Sequence, residues 1–531
     1  MPEERDAIVI GAGPNGLAAA NLLADRGWDV LLLEAQDEPG GAVRSAETLE
    51  PGFVVDRFSA FYPLGVASPV LADLDLEGHG LEWVHSPAVL ANPTPDGPSV
   101  VLSRDRSTTA RSLDAFATGD GDRWLELQDR WDHMEGPLLD AFMRPFPPVR
   151  HGLRLLARLG VRGAGELVRT GLLPARRFAQ EHFAGEGGAL LISGCGLHAD
   201  MTPESAASGF FGWMLAAIGQ SQGWPVPRGG AGALTSALVR RFEAAGGELR
   251  CSSPVTQIVV EDDRAAGVVV DGQVLRARRA VLADVVAPRL YDELLPRDAV
   301  PTRVHDEMIR YQRGAATFKV NWTLDGPVPW TDPAVSQAGT VHLASSLDEL
   351  TFSTAELSCG MIPADPFLLI GQMTTADPTR SPAGTESLWA YTSVPQEVRG
   401  DRGGEGLDGS WTEDQGRRFA DRLEERIGCY APGFRSCVRR REVQSPRSME
   451  ADDANLLLGD KSLGSAQLHQ QMVFRPTVGV GRTETPVPGL YLASASAHPG
   501  GGVHGACGAN AASAALARDR LRRLSPRRRG A

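Results

Sequence analysis

Two glycine-rich stretches, one near each end of the 531-residue chain, hold the residues whose types and spacing could do chemistry. The first is "VIGAGPNGLAAA" from residue 9, with Gly11, Gly13 and Gly16 in G-x-G-x-x-G spacing around Pro14 and Asn15. The second is "HPGGGVHGACG", 498–508, in which Gly500, Gly501 and Gly502 stand between His498 and His504. A glycine run weakens a helix or strand interior, so each stretch must serve a place where bare backbone is needed.

In the first stretch the chemistry is phosphate binding. Gly11 allows the sharp turn out of a strand, Gly13 lets a pyrophosphate approach the backbone, and Gly16 lets the following helix pack closely. Pro14 and Asn15 complete that turn, and the helix start offers N–H groups and a partial positive charge to an anion. Glu34 can accept hydrogen bonds from an adenosine ribose, and its charge disfavours the 2′-phosphate of NADP. FAD and NAD both stay open on this unit alone. "EPGGAVRS" then places Gly40, Gly41, Ala42 and Arg44 shortly after Ala35, which suits the far phosphate and ribityl chain of a longer cofactor.

The elements that must position these residues are legible in the pattern. Residues 7–10 and 30–33 are apolar runs suited to buried parallel strands, with an alanine- and leucine-rich helix between them ending at Gly27. Residues 225–284 read as a glycine turn, an amphipathic helix and successive strands; Gly230 and Gly232 mark a helix start, not a second nucleotide site. Residues 490–493 form another buried strand, and an alanine-rich helix is expected from about Val503. In "TFKVNWTL", 317–324, strict alternation sends Thr317, Lys319, Asn321 and Thr323 to one face. That face is expected to meet solvent; the other possibility is that Lys319 holds a water or substrate oxygen near a flavin. Lys319 and Lys461 are the only lysines among 53 basic residues.

With all segments together, the chain resembles the phytoene desaturase-type flavoproteins, whose members include carotenoid desaturases, isomerases, saturases and ketolases. It is most similar to the subgroup of flavin-type carotenoid ketolases and pyridine nucleotide-disulphide oxidoreductase domain-containing protein 2. "VIGAGPNGLAAA", "LEAQDEPGGAVRS", "PRGGAGALTSAL", "FKVN" and "LYLASASAHPGGGVHGACGANAA" carry the resemblance in the family's order. Ser494 and Ala495 stand where members often carry glycine. The resemblance implies an α/β plus α+β fold: a Rossmann-like FAD-binding domain of the glutathione-reductase and amine-oxidase type, assembled from 1–85, 225–290 and 440–531. A mixed-sheet and helical substrate domain would come from 86–224 and 291–439.

It also implies FAD as cofactor, with backbone at Val255 against the adenine. Gly500–Gly502 and Val503 would meet the flavin end, and the late helix would aim its positive end at the flavin pyrimidine. The reaction expected is redox chemistry on an apolar, isoprenoid-like substrate: desaturation, saturation or isomerisation. Alternatives are an oxygen-using ketolase, an amine-oxidase-like enzyme, or a flavin-binding interaction protein. Oxygen or a quinone is the expected electron acceptor, since no separate NAD(P) domain is evident. Lys319 and His498 are the candidate catalytic side chains.

Composition trims the other classes. A net charge of −13 opposes general nucleic-acid binding. The six cysteines form no C-x-x-C pair, and His498 and His504 have no nearby carboxylate, so no metal site is expected. The cysteine spacing fits a reducing cytoplasm. Residues 144–177 hold eight arginines and one acid, with leucines between them. That pattern reads as a solvated helix on the cap or as peripheral contact with an anionic membrane. The pattern leaves the oligomeric state open.

Overall fold

The computed structural model describes residues 3–95 and 97–524; the last residues of the expected segment 440–531 lie outside that range, as do the first two of 1–85. Two seven-stranded sheets organise the chain. The first is built on Glu4–Ile10, which pairs in parallel with Val30–Leu33 on one side and Gln273–Ala283 on the other. Glu248–Arg250 adds to the Val30–Leu33 edge, and Leu490–Leu492 pairs in parallel with Gln273–Ala283. Val255–Glu261, Arg264–Val270 and Gln273–Ala283 form an antiparallel meander. The central strands are buried on both faces, which explains their near-continuous apolar sequence.

Helices Pro14–Ala24 and Ala506–Leu524 bring the two ends of the chain together. A Cβ at Gly508 would stand 1.9 Å from the Asn15 carbonyl oxygen, so only glycine allows this approach. A Cβ at Gly16 would likewise stand 2.0 Å from the Gly11 carbonyl oxygen, which is the close helix-to-strand packing expected.

The second sheet runs Val438–Gln444, Ala316–Leu324, Glu386–Val394, Leu368–Gln372, Ala338–Leu343, Ala88–Asn92, Val100–Leu102. Ala316–Leu324 is therefore interior, and all nine of its residues are buried. Phe318 and Trp322 pack under Phe419, Leu423 and Phe434. The expected solvent-facing row is correct in phase and wrong in exposure: Lys319 is only 2% exposed. A polar row in a strand says which side chains share a face, not whether another layer covers it. Here the segment around Asp56 covers it.

A helical layer, with Trp124, Trp131, Phe178 and Trp213 in its core, caps the second sheet. Its outlying helix Val149–Thr170 has no buried residue, and Gly160 breaks its helical geometry with φ +68°.

Candidate functional site

A cavity of about 640 Å³ runs between the two sheets. One end is the glycine cradle: Gly11, Gly13, Pro14, Asn15, Glu34, Ala35, Gly41, Ala42, Arg44 and Val255 line it, together with Gly501, Gly502 and Val503. The other end is apolar, walled by Phe61, Phe142, Phe211, Met214, Leu215 and Trp224.

Four of the expected residues brace the cavity without lining it. Gly16 packs the helix on the strand. Gly40, at φ +125°, donates its N–H to the Ala12 carbonyl at 2.9 Å, and a Cβ there would crowd Val43 and Thr235. Gly500, at φ +108°, leaves room for the Arg475 guanidinium, whose Nε would lie 3.1 Å from a Cβ. His498 is buried between Phe142 and Phe146, at ring distances of 6.0 and 6.2 Å, with neither ring nitrogen hydrogen-bonded. Burial pushes its pKa down to about 4. Its ring does not line the cavity, although Pro499 beside it does.

The late helix starts at Ala506, not near Val503. His504 explains the shift. Its Nδ1 accepts the Ala506 N–H at 3.0 Å, and its carbonyl accepts the Ser68 hydroxyl at 2.6 Å. The residue two before the helix thus ties down its first N–H, which fixes where the irregular segment ends. The early helix also differs from expectation. Its Gly16 N–H already donates to the Asp284 carboxylate at 2.8 Å, so that amide is not open to an anion. Burial raises the Asp284 pKa to about 7. Glu34 accepts from the Ala12 N–H at 2.8 Å and the Gln36 N–H at 2.9 Å, which fixes its carboxylate at the cavity edge. Arg44 is held by the Gly41 and Asp452 carbonyls at 2.9 and 3.0 Å, and pairs with Glu38.

These residues fit an elongated dinucleotide cofactor. The cradle is bare where side chains would obstruct it: Gly41 brings its Cβ position within 3.2 Å of the Gly13 Cα, and Gly502 has φ +115°. Asn15 Oδ1 is a buried polar atom on the cradle with no protein partner.

Sequence reasoning missed three features. Arg475 is 1% exposed, lines the cavity beside Gly500, and is satisfied only by carbonyls: Ala495 at 2.8 Å, Ser465 at 2.9 Å and Ser462 at 2.7 Å. It is a fixed positive charge without a carboxylate partner among the described residues. Arginine is so common in this chain that nothing marked it. Asp56 and Arg380 form a fully buried ion pair at 2.8 Å beneath the cavity wall.

The third feature had a signal, the scarcity of lysine. Both lysines of the chain line this one cavity. Lys319 Nζ lies 5.9 Å over the Trp389 ring and Lys461 Nζ 5.5 Å over the Tyr391 ring, while the two rings stack at 5.8 Å. Lys319 donates to the Asp56 carbonyl and, at 3.2 Å, to the Arg57 carbonyl. Burial lowers its pKa to about 7, against the pull of Asp56 and Glu442. Arginine could not lose a proton there; lysine can.

The comparisons with known proteins agree with this geometry. The family described as flavin containing amine oxidoreductase matches residues 15–397, and the chain belongs to that family. It is an oxidoreductase that uses a flavin. The chain is 28% identical to pyridine nucleotide-disulfide oxidoreductase domain-containing protein 2 of Rattus norvegicus, over 96% of this chain and 93% of the relative. It is 26% identical to the lycopene-forming phytoene desaturase of Pseudescherichia vulneris, over 96% of this chain and 98% of that one. Among solved structures, putrescine oxidase bound to putrescine shares the fold, with a TM-score of 0.61 at 17% identity over 97% of this chain and 99% of that chain.

Proposed function

We propose that the protein binds FAD along the glycine cradle and oxidises, reduces or isomerises an elongated apolar substrate at the cavity's other end. One observation carries this reading: a single cavity joins a dinucleotide cradle made from both chain ends to a wall of phenylalanine, methionine, leucine and tryptophan. The flavin, when bound, supplies the two-electron redox chemistry. The chain's own part is to hold the substrate, exclude water and manage a proton at Lys319 Nζ. Similarity to a phytoene desaturase supports a polyene or isoprenoid body for the substrate. Oxygen or a quinone is the proposed acceptor. Segments 1–85, 225–290 and 440–531 are assigned to the cofactor and the rest to the substrate.

An amine substrate is the weaker reading. Aromatic faces recognise cations, but the faces of Trp389 and Tyr391 are already occupied by the two lysines, which leaves no free face there for a substrate ammonium group. Anaerobic mixing of the flavin-loaded protein with a polyene alcohol is expected to bleach the flavin, whereas a primary diamine leaves it oxidised. Bleaching by the diamine alone overturns the assignment.

Helix Val149–Thr170 supports peripheral membrane contact. Leu155, Leu159 and Leu167 pack inward on the helical layer. On the outside, Val149, Leu153, Val161 and Val168 are 61–86% exposed, beside Arg150, Arg154 and Arg158. An apolar row flanked by cations suits an anionic bilayer surface. No described helix is long and apolar enough to cross a membrane. The protein is expected to sediment with vesicles containing phosphatidylserine, but not with phosphatidylcholine alone. The double substitution L153D/V161D is expected to abolish sedimentation while the flavin stays bound. Equal sedimentation of the variant removes the helix from the account.

A further inference from the structure

A second cavity, about 460 Å³, lies behind the lysine-lined end of the first. Ala466 lines both. The partition between them is an ion pair: Lys461 Nζ, on the flavin-cavity side, meets both oxygens of Asp200, on the far side, at 2.6 and 2.7 Å. Asp200 also accepts the Ser393 hydroxyl at 2.9 Å, so its charge is spent.

The lining of the second cavity is mixed polar and apolar; it carries two cations, Arg313 and Arg399, and also Ser358, Thr392 and Gln396. Neither arginine has a carboxylate partner among the described residues. Their neighbours do: Arg310 pairs with Glu307 at 3.1 Å and Arg402 with Glu356 at 3.3 Å. Two arginines without a carboxylate partner on one concave surface leave their guanidinium donors open to an anion. Glu397 is exposed on the same lining, so with Asp200 neutralised the cations outnumber the carboxylates two to one.

We propose that this second cavity is an anion-binding subsite, in which Arg313 and Arg399 take the carboxylate or phosphate end of an elongated substrate whose apolar body lies in the flavin cavity. The inference rests on the apolar-substrate reading for the body and adds the charged end. Lys461 stands where the two parts meet. An arriving anion exchanges with Asp200 for the ammonium group, which opens the partition as the ligand threads it. A hydrocarbon with no polar end would gain nothing from this side of the site.

The test titrates the FAD-loaded protein with dodecanoate, dodecyl phosphate and dodecanol, by calorimetry and by the flavin visible band. The two anions are expected to bind about tenfold tighter than dodecanol, or more, as charge-assisted hydrogen bonds to arginine allow. R313Q/R399Q is expected to erase that advantage and leave dodecanol unchanged. Both arginines lie toward the surface without ion-pair partners, so the variant keeps its fold. Tighter dodecanoate assigns a carboxylate end, and tighter dodecyl phosphate, displaced by inorganic phosphate, a phosphate end. Equal affinity of all three, binding by none, or an advantage that survives in the double variant overturns the proposal. The dodecanol band shift reads the apolar cavity separately: its absence, with anion preference intact, contradicts the apolar-substrate reading and not the subsite.

Discussion

Gly501→Leu is expected to yield folded protein without flavin. Gly501 lines the cavity, and a Cβ there would stand 3.1 Å from the Ser462 Cα, so the new side chain has backbone on one flank. Ser462 cannot retreat easily, because its carbonyl is held by Arg475 at 2.7 Å. The leucine must therefore fill cradle space. Loss of a close backbone approach in a cofactor site costs about 3 kcal/mol or more, roughly a hundredfold in affinity. His504→Ala is the contrast. It removes one hydrogen bond at a helix start, worth about 1 kcal/mol, and some packing, so it lowers the melting temperature but leaves the flavin bound. Absorbance of the purified variants and FAD titration read the difference directly. Equal flavin content in the two variants would show that the glycine run does not touch the cofactor.

Lys319→Met is expected to keep its flavin and lose about a hundredfold in turnover, the usual worth of a positioned proton-transfer group. Methionine fills the same buried space but leaves the Asp56 and Arg57 carbonyls without their donor. A purely structural lysine would be rescued by arginine, which keeps the charge. Lys319→Arg should fail instead, because a guanidinium stays protonated at every working pH. With a pKa near 7, the wild-type lysine is charged below that value and increasingly neutral above it. If the neutral amine is the active form, kcat rises with pH through about 7, and if the ammonium is, kcat falls there; in both cases the limb disappears in the two variants. A limb that persists in Lys319→Met assigns the proton to another group.

The sequence made the first sheet legible because its signals are local. Strand, glycine turn, helix and acid fall within residues 6–34, and each has one physical task. The meeting of the two chain ends was legible for a similar reason: a second strand, glycine loop and helix late in the chain could only serve the same cradle. Burial of Lys319 was not legible. Alternation in 317–324 fixes which side chains share a face, but the cover over that face comes from residues near 56, more than 250 positions away. The same holds for His504, whose hold on the first helical N–H depends on where the helix begins, and for Asp284, which reaches Gly16 across the sheet. Arg475 was hidden by composition, since one arginine among so many carries no signal. Lysine shows the converse. Two lysines in a chain that otherwise uses arginine both proved to line the cavity, and rarity was the only clue.

We propose that one cavity, closed by both ends of the chain, holds FAD against an apolar substrate site. Reconstitution tests it most directly. The purified protein, stripped and then supplied with FAD, is expected to regain a flavin absorption spectrum at one FAD per chain, and that band should shift when a long-chain alcohol is added. Protein that stays colourless after reconstitution, or whose flavin band ignores every apolar ligand, would contradict a shared FAD and substrate cavity.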